Sequence, residues 1–442
     1  MNDWSEAESF VERAHELYEA GRWAEAEAAL RRALALNPYR AEWHFNLGLT
    51  LEAAGRWDEA ERALKQAHEL DGNDDQIMLM LGMTCLRAGR ANDALSWLER
   101  AARMNPDRID AYVHQIEAFA ALKRWDEAEQ AFYMAMQLDG GHAGAFANMG
   151  EAQLLRGDTR RAIACLREAA QREPTLPRVH ARLASAYADA GRPARALELY
   201  VRQLREDPGD VDTLLDLACL LIDMNRLGEA HERLRRVLEL DPNESDAHFY
   251  MGEIAMRCGR IAEAEGAYRV ARKLDPEHPD VCRRLARVAL QRGEVGEARR
   301  LLRREAKRAA DNDLPPEEYA ALVSMMVEAR LAKDAVHVAS DFVKGNETDA
   351  GAWQLFSMAL LNTGDVRQGV IAAREVIRLN PGHTGALHNL ALASIRTQHF
   401  ARAGVFIARL AKANSDDPAL RRLRWMRFIG RARRLMGRRL KG

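Results

Sequence analysis

A chain of 442 residues that is 48% hydrophobic, 30% charged and 6% aromatic has the balance of a water-facing helical protein. That apolar fraction excludes disorder along the whole length, and 29 glycines with 13 prolines exclude collagen-like or low-complexity sequence. The formal charge of −1 conceals a polarised molecule: residues 1–140 carry 15 basic and 26 acidic side chains, residues 141–418 carry 40 of each, and residues 419–442 carry ten basic and none acidic.

In chain order, the start MNDWSEAESF is acidic, without the basic and apolar regions of a signal peptide, and no run of about 18 apolar residues occurs anywhere. Cys85, Cys165, Cys219, Cys258 and Cys282 are odd in number and form no C-x-x-C pair, which fits a reducing compartment; a cytoplasmic location is the expectation. Ser5 and Glu8 have capping-box spacing and are expected to open the first helix.

Beyond that start a period governs the chain. Alanines stand at Ala26, Ala60, Ala94, Ala128, Ala162, Ala196, Ala230, Ala264 and Ala298, each 34 residues after the last, and the series resumes after a slip at Ala335, Gly369 and Ala403 to make twelve units. Twelve positions before these sites stand small residues such as Ala14, Gly48, Gly82, Gly150 and Gly252. Five positions before them stand the turn glycines Gly21, Gly55, Gly89, Gly157, Gly191, Gly259, Gly293 and Gly364. Prolines such as Pro38, Pro106 and Pro242 close units. Each unit therefore reads as helix, turn, helix, stop, with helices of about fourteen residues, roughly 21 Å long. Small residues let paired backbones approach, and the Leu or aromatic four beyond the alanine (Leu30, Leu64, Leu98, Phe132, Leu166, Tyr200, Leu234, Tyr268) fills the space between.

These residues, as in Asn46-Leu47-Gly48, Gly55-Arg56-Trp57, Ala60, Leu64 and Ala67, give residues 7–417 a resemblance to the tetratricopeptide repeat family. The resemblance implies an all-α, right-handed superhelical α-solenoid of about twelve 34-residue helix-turn-helix repeats with a C-terminal capping helix. It also implies that first helices line a concave groove that holds an extended or helical peptide. Trp23, Trp57 and Trp125 occupy the family's packing aromatic position, and Trp353 falls at a packing position of a first helix. The chaperone-tail binders of the family carry a Lys and Asn clamp, but Val11, His15, Phe45 and Leu49 stand here instead. The asparagine ladder of the glycosyltransferase type survives only at Asn46, Asn148 and Asn389.

Aligned on the repeat, Glu42, Phe45, Leu49, Leu79, Met83, Leu86, Val113 and Glu117 fall on the groove face and form an apolar floor with carboxylates beside it. The face then turns polar through Glu151, Arg178, Ser185, Asp212, Asp246 and Glu253 before Arg283 and Arg287, whose i, i+4 spacing presents two guanidinium groups able to fork a carboxylate or phosphate. The alternative reading of the apolar set is that these side chains simply pack against neighbouring first helices.

Three surplus residues fall at Asp311-Asn312-Asp313-Leu314-Pro315-Pro316, where Pro-Pro cannot continue a helix. They suggest either a longer loop or a boundary dividing the chain into residues 1–312, 313–418 and 419–442. The last segment reads as an amphipathic helix with Trp425, Ile429, Ala432, Met436 and Leu440 on one side and Arg424, Arg427, Arg431, Arg434 and Arg438 on the other. It is either a solenoid cap or a binder of an anionic surface, membrane or nucleic acid.

The sequence holds no H-E-x-x-H, G-x-S-x-G, P-loop or G-x-G-x-x-G pattern, and its 13 histidines are dispersed over different units, so neither a cofactor nor a metal is expected. The expectation is a non-catalytic scaffold that holds a partner protein segment in its groove. Alternatives are an anionic-surface adaptor acting through the tail, and an accessory recruiting subunit of a separate enzyme. Oppositely charged ends also permit head-to-tail self-association.

Overall fold

The structure, a computed structural model, describes the backbone of residues 2–278, 280–311, 314 and 316–439, and the side chains of 4–278, 280–309, 314 and 316–432. The described residues form 25 α-helices and no strand, and the chain divides into two compact units, Met1–Leu240 and Asp241–Gly442. The first unit contains seven helix pairs: α1 (Asn2–Glu19) and α2 (Trp23–Leu36), α3 (Ala41–Ala53) and α4 (Trp57–Leu70), α5 (Asp75–Arg87) and α6 (Ala91–Met104), α7 (Ile109–Ala121) and α8 (Trp125–Leu138), α9 (Ala143–Arg156) and α10 (Thr159–Arg172), α11 (Val179–Asp189) and α12 (Pro193–Glu206), α13 (Val211–Asp223) and α14 (Leu227–Leu240). The second contains five: α15 (Ser245–Arg257) and α16 (Ile261–Leu274), α17 (Val281–Gln291) and α18 (Val295–Asp311), α19 (Pro316–Glu328) and α20 (Ala332–Gly345), α21 (Ala350–Thr363) and α22 (Val366–Leu379), α23 (Thr384–Arg396) and α24 (Phe400–Ala413), followed by α25 (Ala419–Arg439). The chain thus adopts the expected all-α class of stacked helix-turn-helix repeats. Among the described residues no helix is long and apolar enough to cross a membrane.

The turn inside each pair has one geometry. The amide of Arg22 donates to the Leu17 carbonyl at 2.9 Å, and the same six-residue closure recurs from Arg56 to Leu51 and from Arg90 to Cys85. It requires a left-handed residue one position earlier, and all eight glycines of the series supply it with φ between +68° and +90°. The four repeats without glycine force Lys123, Asn225, Arg330 and Gln398 to φ of 57° to 59° at the same place. Start signals are weaker: Asp74, Asp158, Asp210, Asp349 and Asp365 each accept a backbone N–H of the helix that follows. The expected cap at Ser5 is not used, because α1 begins at Asn2 and Ser5 lies inside its first turn.

Packing explains the small residues. A Cβ placed on Gly48 would lie 2.6 Å from Leu64 Cγ, one on Gly82 2.5 Å from Leu98 Cγ, and one on Gly252 2.5 Å from Tyr268 Cε1. Where a first helix carries this glycine it is therefore the socket for the large side chain on its partner, and the alanines of the 34-residue series are at most 1% exposed. Burying a leucine in such a socket contributes about 1.5–3 kcal/mol. Neighbouring second helices are also stitched by arginines beside the turns, Arg56 to Glu27 at 2.6 Å and Arg90 to Glu61, while Arg156 at the end of α9 reaches Glu129 of α8 at 3.1 Å.

Within the second unit one apolar cluster runs from Phe249 to Ala359, passing residues 311–316; Leu314 packs against it, and the Tyr319 hydroxyl donates to the Ala309 carbonyl at 3.1 Å. Of that expected junction, Asn312, Asp313 and Pro315 lie outside the described residues, as does the Asp311 side chain. No disulfide joins the five cysteines, and burial with the nearby Glu61 carboxylate pushes the Cys85 thiol up to about 11.

Candidate functional site: the first-helix face

In the first unit, α1 and α3 leave a cavity of about 200 Å³ between them, floored by Leu30 of α2. Val11, Ala14, His15 and Tyr18 line it from α1, and Asn46, Leu49 and Thr50 from α3. The helical register that creates the repeat puts them there: residues three and four apart share a face, so Val11 stands with Ala14 and His15, and Asn46 with Leu49 and Thr50. Thr50 returns its hydroxyl to the Asn46 backbone carbonyl at 2.8 Å, and Asn46 itself lines the cavity.

The sequence-derived groove residues meet three fates. Phe45, Asn46, Leu49, Met83 and Leu86 are half-buried, each resting on the core with part of its surface open, while Glu42 and Glu117 are exposed. Leu79 and Val113 are buried and belong to the packing between repeats rather than to an open floor, a correction with a simple cause: the first helices pack tightly enough at this level to close over them. The remaining polar residues are drawn into ion pairs between successive first helices. Glu151 pairs with Arg182 at 3.1 Å, and Arg178 reaches Asp212 at 2.6 Å and Asp210 at 3.3 Å. Ser185 lies half-buried on α11.

Burial raises the Glu151 carboxyl above its ordinary range; Arg182 opposes the shift and the neighbouring Glu117 adds to it. Asp216 is raised by burial against the opposition of Arg178, and Glu52 by burial against Arg87 and His114. The face of the first unit is thus an apolar strip with a small cavity at one end and partly desolvated carboxylates along it. The asparagine positions diverge: Asn46 lines the cavity, Asn148 donates to the Val113 carbonyl at 3.0 Å, and the buried Asn389 amide nitrogen has no hydrogen-bond partner among the described residues.

In the second unit the expected guanidinium pair does not form a free fork. Arg283 is 9% exposed and held by Asp280 and by Glu318 at 3.0 Å, because its position on α17 faces α19 rather than solvent; only Arg287 is exposed. Glu253 accepts from the Tyr268 hydroxyl and pairs with Arg284 at 2.9 Å, and Asp246 meets His278 at 2.9 Å. Among the described residues no group of three or more His, Cys, Asp and Glu could hold a metal ion. Trp23 packs edge-on to Tyr18 with centroids 5.0 Å apart, Trp57 lies under the Arg87 guanidinium, and the Trp353 indole donates to the Glu347 carbonyl.

Helix α25 buries Leu420 and Leu423 against the last repeat, and the Arg427 Nε donates to the Phe400 carbonyl at 2.8 Å. The expected apolar stripe is thereby corrected: Trp425 is exposed, and so is Phe428, while Arg427, assigned to the polar side, lies against the protein. Arg424 and Arg431 are exposed; Leu440 and the side chains of Arg434, Met436 and Arg438 lie outside the described residues. A further cavity of about 620 Å³ between α22, α23 and α24, edged by Arg367, Arg374 and Arg402, gave no sequence signal, since its walls come from three helices whose spacing only packing sets.

Residues 134–355, half of the chain, match the family model described as the cilia and flagella-associated protein 70 C-terminal domain. Residues 51–118 and 11–75 each match a tetratricopeptide repeat model. No curated protein matches the sequence. Similar solved structures include a thermophilic TPR protein of Thermus thermophilus, with 26% identity over 41% of this chain and 99% of that one and a TM-score of 0.39. Yeast Tom70 is 14% identical over 97% of this chain and 96% of its own, with a TM-score of 0.43. YrrB, described as a TPR protein with an unusual peptide-binding site, is 23% identical over 38% of this chain and 86% of its own, with a TM-score of 0.32.

Proposed function

Since the chain belongs to the tetratricopeptide repeat family, whose members are protein-interaction scaffolds, we propose that it grips a partner protein segment on the first-helix face of its first unit. The observation that carries this reading is the cavity between α1 and α3, with Leu49 and Asn46 in its wall and half-buried Phe45, Met83 and Leu86 on the helices nearby. Such a face offers sockets for alternate apolar side chains and the Asn46 side-chain amide for a peptide backbone. The exposed carboxylates Glu42 and Glu117, and the excess of 26 acidic over 15 basic residues in 1–140, favour a segment that carries lysine or arginine among its apolar residues. Because the repeat scaffold is preformed, ordering falls on the ligand alone.

Selection of peptides from a random library on the full chain tests the proposal. The enriched ligands should pair basic with apolar residues, and the Leu49→Glu, Met83→Glu double variant should weaken them by about tenfold or more, as loss of a buried interface anchor does. Ligands without basic enrichment, or bound equally by the double variant, would refute it.

A further inference from the structure

The outward side of α25 has no role in the stack. The helix is fastened by one face only: Leu420 and Leu423 are buried, Arg427 is bonded to the Phe400 carbonyl, and Gly430 sits so close to α24 that a Cβ there would lie 2.5 Å from Phe400 Cε1. That contact fixes the rotation of the helix. It leaves Trp425 62% and Phe428 69% exposed, one turn apart on the opposite crest, in a protein that otherwise packs most of its large aromatics. Arg421 continues the crest one turn before Trp425, while Arg422 lies on one flank and Arg424 and Arg431 on the other, and all four are exposed. None of these four has an ion pair among the described residues, so their charges are open to an outside anion. The helix carries nine arginines and no acidic residue.

We infer that α25 is an interfacial anchor that lays its Trp425–Phe428 crest into the surface of an anionic lipid bilayer while the flanking arginines hold lipid phosphates. An aromatic crest with guanidinium groups at its end and on both flanks suits a helix lying in the plane of the headgroups, where rings enter the acyl boundary and long cationic side chains turn back to the phosphates. An indole is especially at home at that depth. A single-stranded nucleic acid would engage the same charges and stacks its bases on aromatic rings, but it is held along a charged groove, and these rings stand on a convex helix crest. The anchor is separate from the first-helix face of the first unit, and neither proposal depends on the other.

The test is flotation of the full-length chain with phosphatidylcholine vesicles, neutral or with about a third of the lipid replaced by phosphatidylglycerol. The protein should float only with the anionic vesicles, and added salt should release it. Arg421→Gln with Arg422→Gln should lower the partition coefficient about thirtyfold, at about fivefold per charge removed, and Trp425→Ser with Phe428→Ser about tenfold or more. Because all four side chains are exposed, thermal unfolding of these variants should match the wild type. Brominated lipid should quench the wild-type tryptophan fluorescence, and Trp425→Phe should keep vesicle binding while losing that quenching. Equal flotation with neutral vesicles, indifference to these substitutions, absent quenching, or binding of RNA instead of vesicles through the same residues would overturn the inference.

Discussion

Glycine-to-alanine substitution at two helix-interior sites tests the packing logic of the repeat, because the same chemical change is expected to have opposite signs. At Gly266, in the middle of α16, a Cβ would meet nothing within 4 Å, so alanine should simply gain helix propensity, about 1 kcal/mol. At Gly48 the new Cβ would lie 2.6 Å from Leu64 Cγ and 2.7 Å from Leu64 Cδ2, far inside ordinary contact, and Leu64 is fully buried with nowhere to turn. Overpacking of this kind costs about 1–3 kcal/mol. Set against the propensity gain, it should leave Gly48→Ala destabilised by up to about 2 kcal/mol, so the two variants should differ by about 1–3 kcal/mol. Stacked repeats need not unfold in one step, so guanidinium titration of the full chain should be paired with hydrogen exchange read on α3 and α4. Leu64→Ala in the Gly48→Ala background should cost less than the sum of the single changes, by about 1 kcal/mol or more. If Gly48→Ala stabilises the chain as Gly266→Ala does, the socket explanation of the small-residue series is wrong.

Ala162→Leu places a larger side chain at a fully buried site of α10 and should cost about 1–3 kcal/mol; an unchanged melting temperature would contradict the assignment. Lys123→Gly and Gln398→Gly relieve left-handed backbone at turns where eight sister repeats already have glycine, and each should raise stability by about 0.5–1 kcal/mol, measured as a shift of the denaturation midpoint. Burial lowers the pKa of His180, with Arg202 adding to the shift and Glu206 opposing it. The ring is therefore neutral in the fold but takes up a proton on unfolding below about pH 6.5, so its contribution is present above that value and lost as the pH falls, by at most about 1.4 kcal/mol per pH unit. Between pH 7 and 5, at about half-unit steps, the stability of the wild type should decline relative to His180→Gln; parallel curves would refute this.

The part of the molecule that repeats was legible without coordinates, since every unit restates the same local physics. A left-handed residue closes the turn, a small residue faces a large one across the pair, and an alanine is buried; each is decided by neighbours within about 34 residues. The four turns that lack glycine keep the same spacing, with Lys123, Asn225, Arg330 and Gln398 five residues before Ala128, Ala230, Ala335 and Ala403. The candidate site was legible as a face but not as a set of free side chains. Met83 and Leu86 keep open surface while Leu79 on the same helix does not, and Arg283 is consumed by Glu318, 35 residues away on the next first helix.

Val11, His15 and Tyr18 became cavity walls because of the gap that α1 and α3 leave above Leu30, a distance that no periodicity encodes. The same division holds at the end of the chain. Composition alone made α25 basic and amphipathic, yet which ring faced water depended on where Leu420 and Leu423 docked and on how closely Gly430 let the helix approach Phe400. Local pattern determines what a helix offers on each of its sides, and only the contact with its neighbour selects which side is spent on the fold and which is left for a partner.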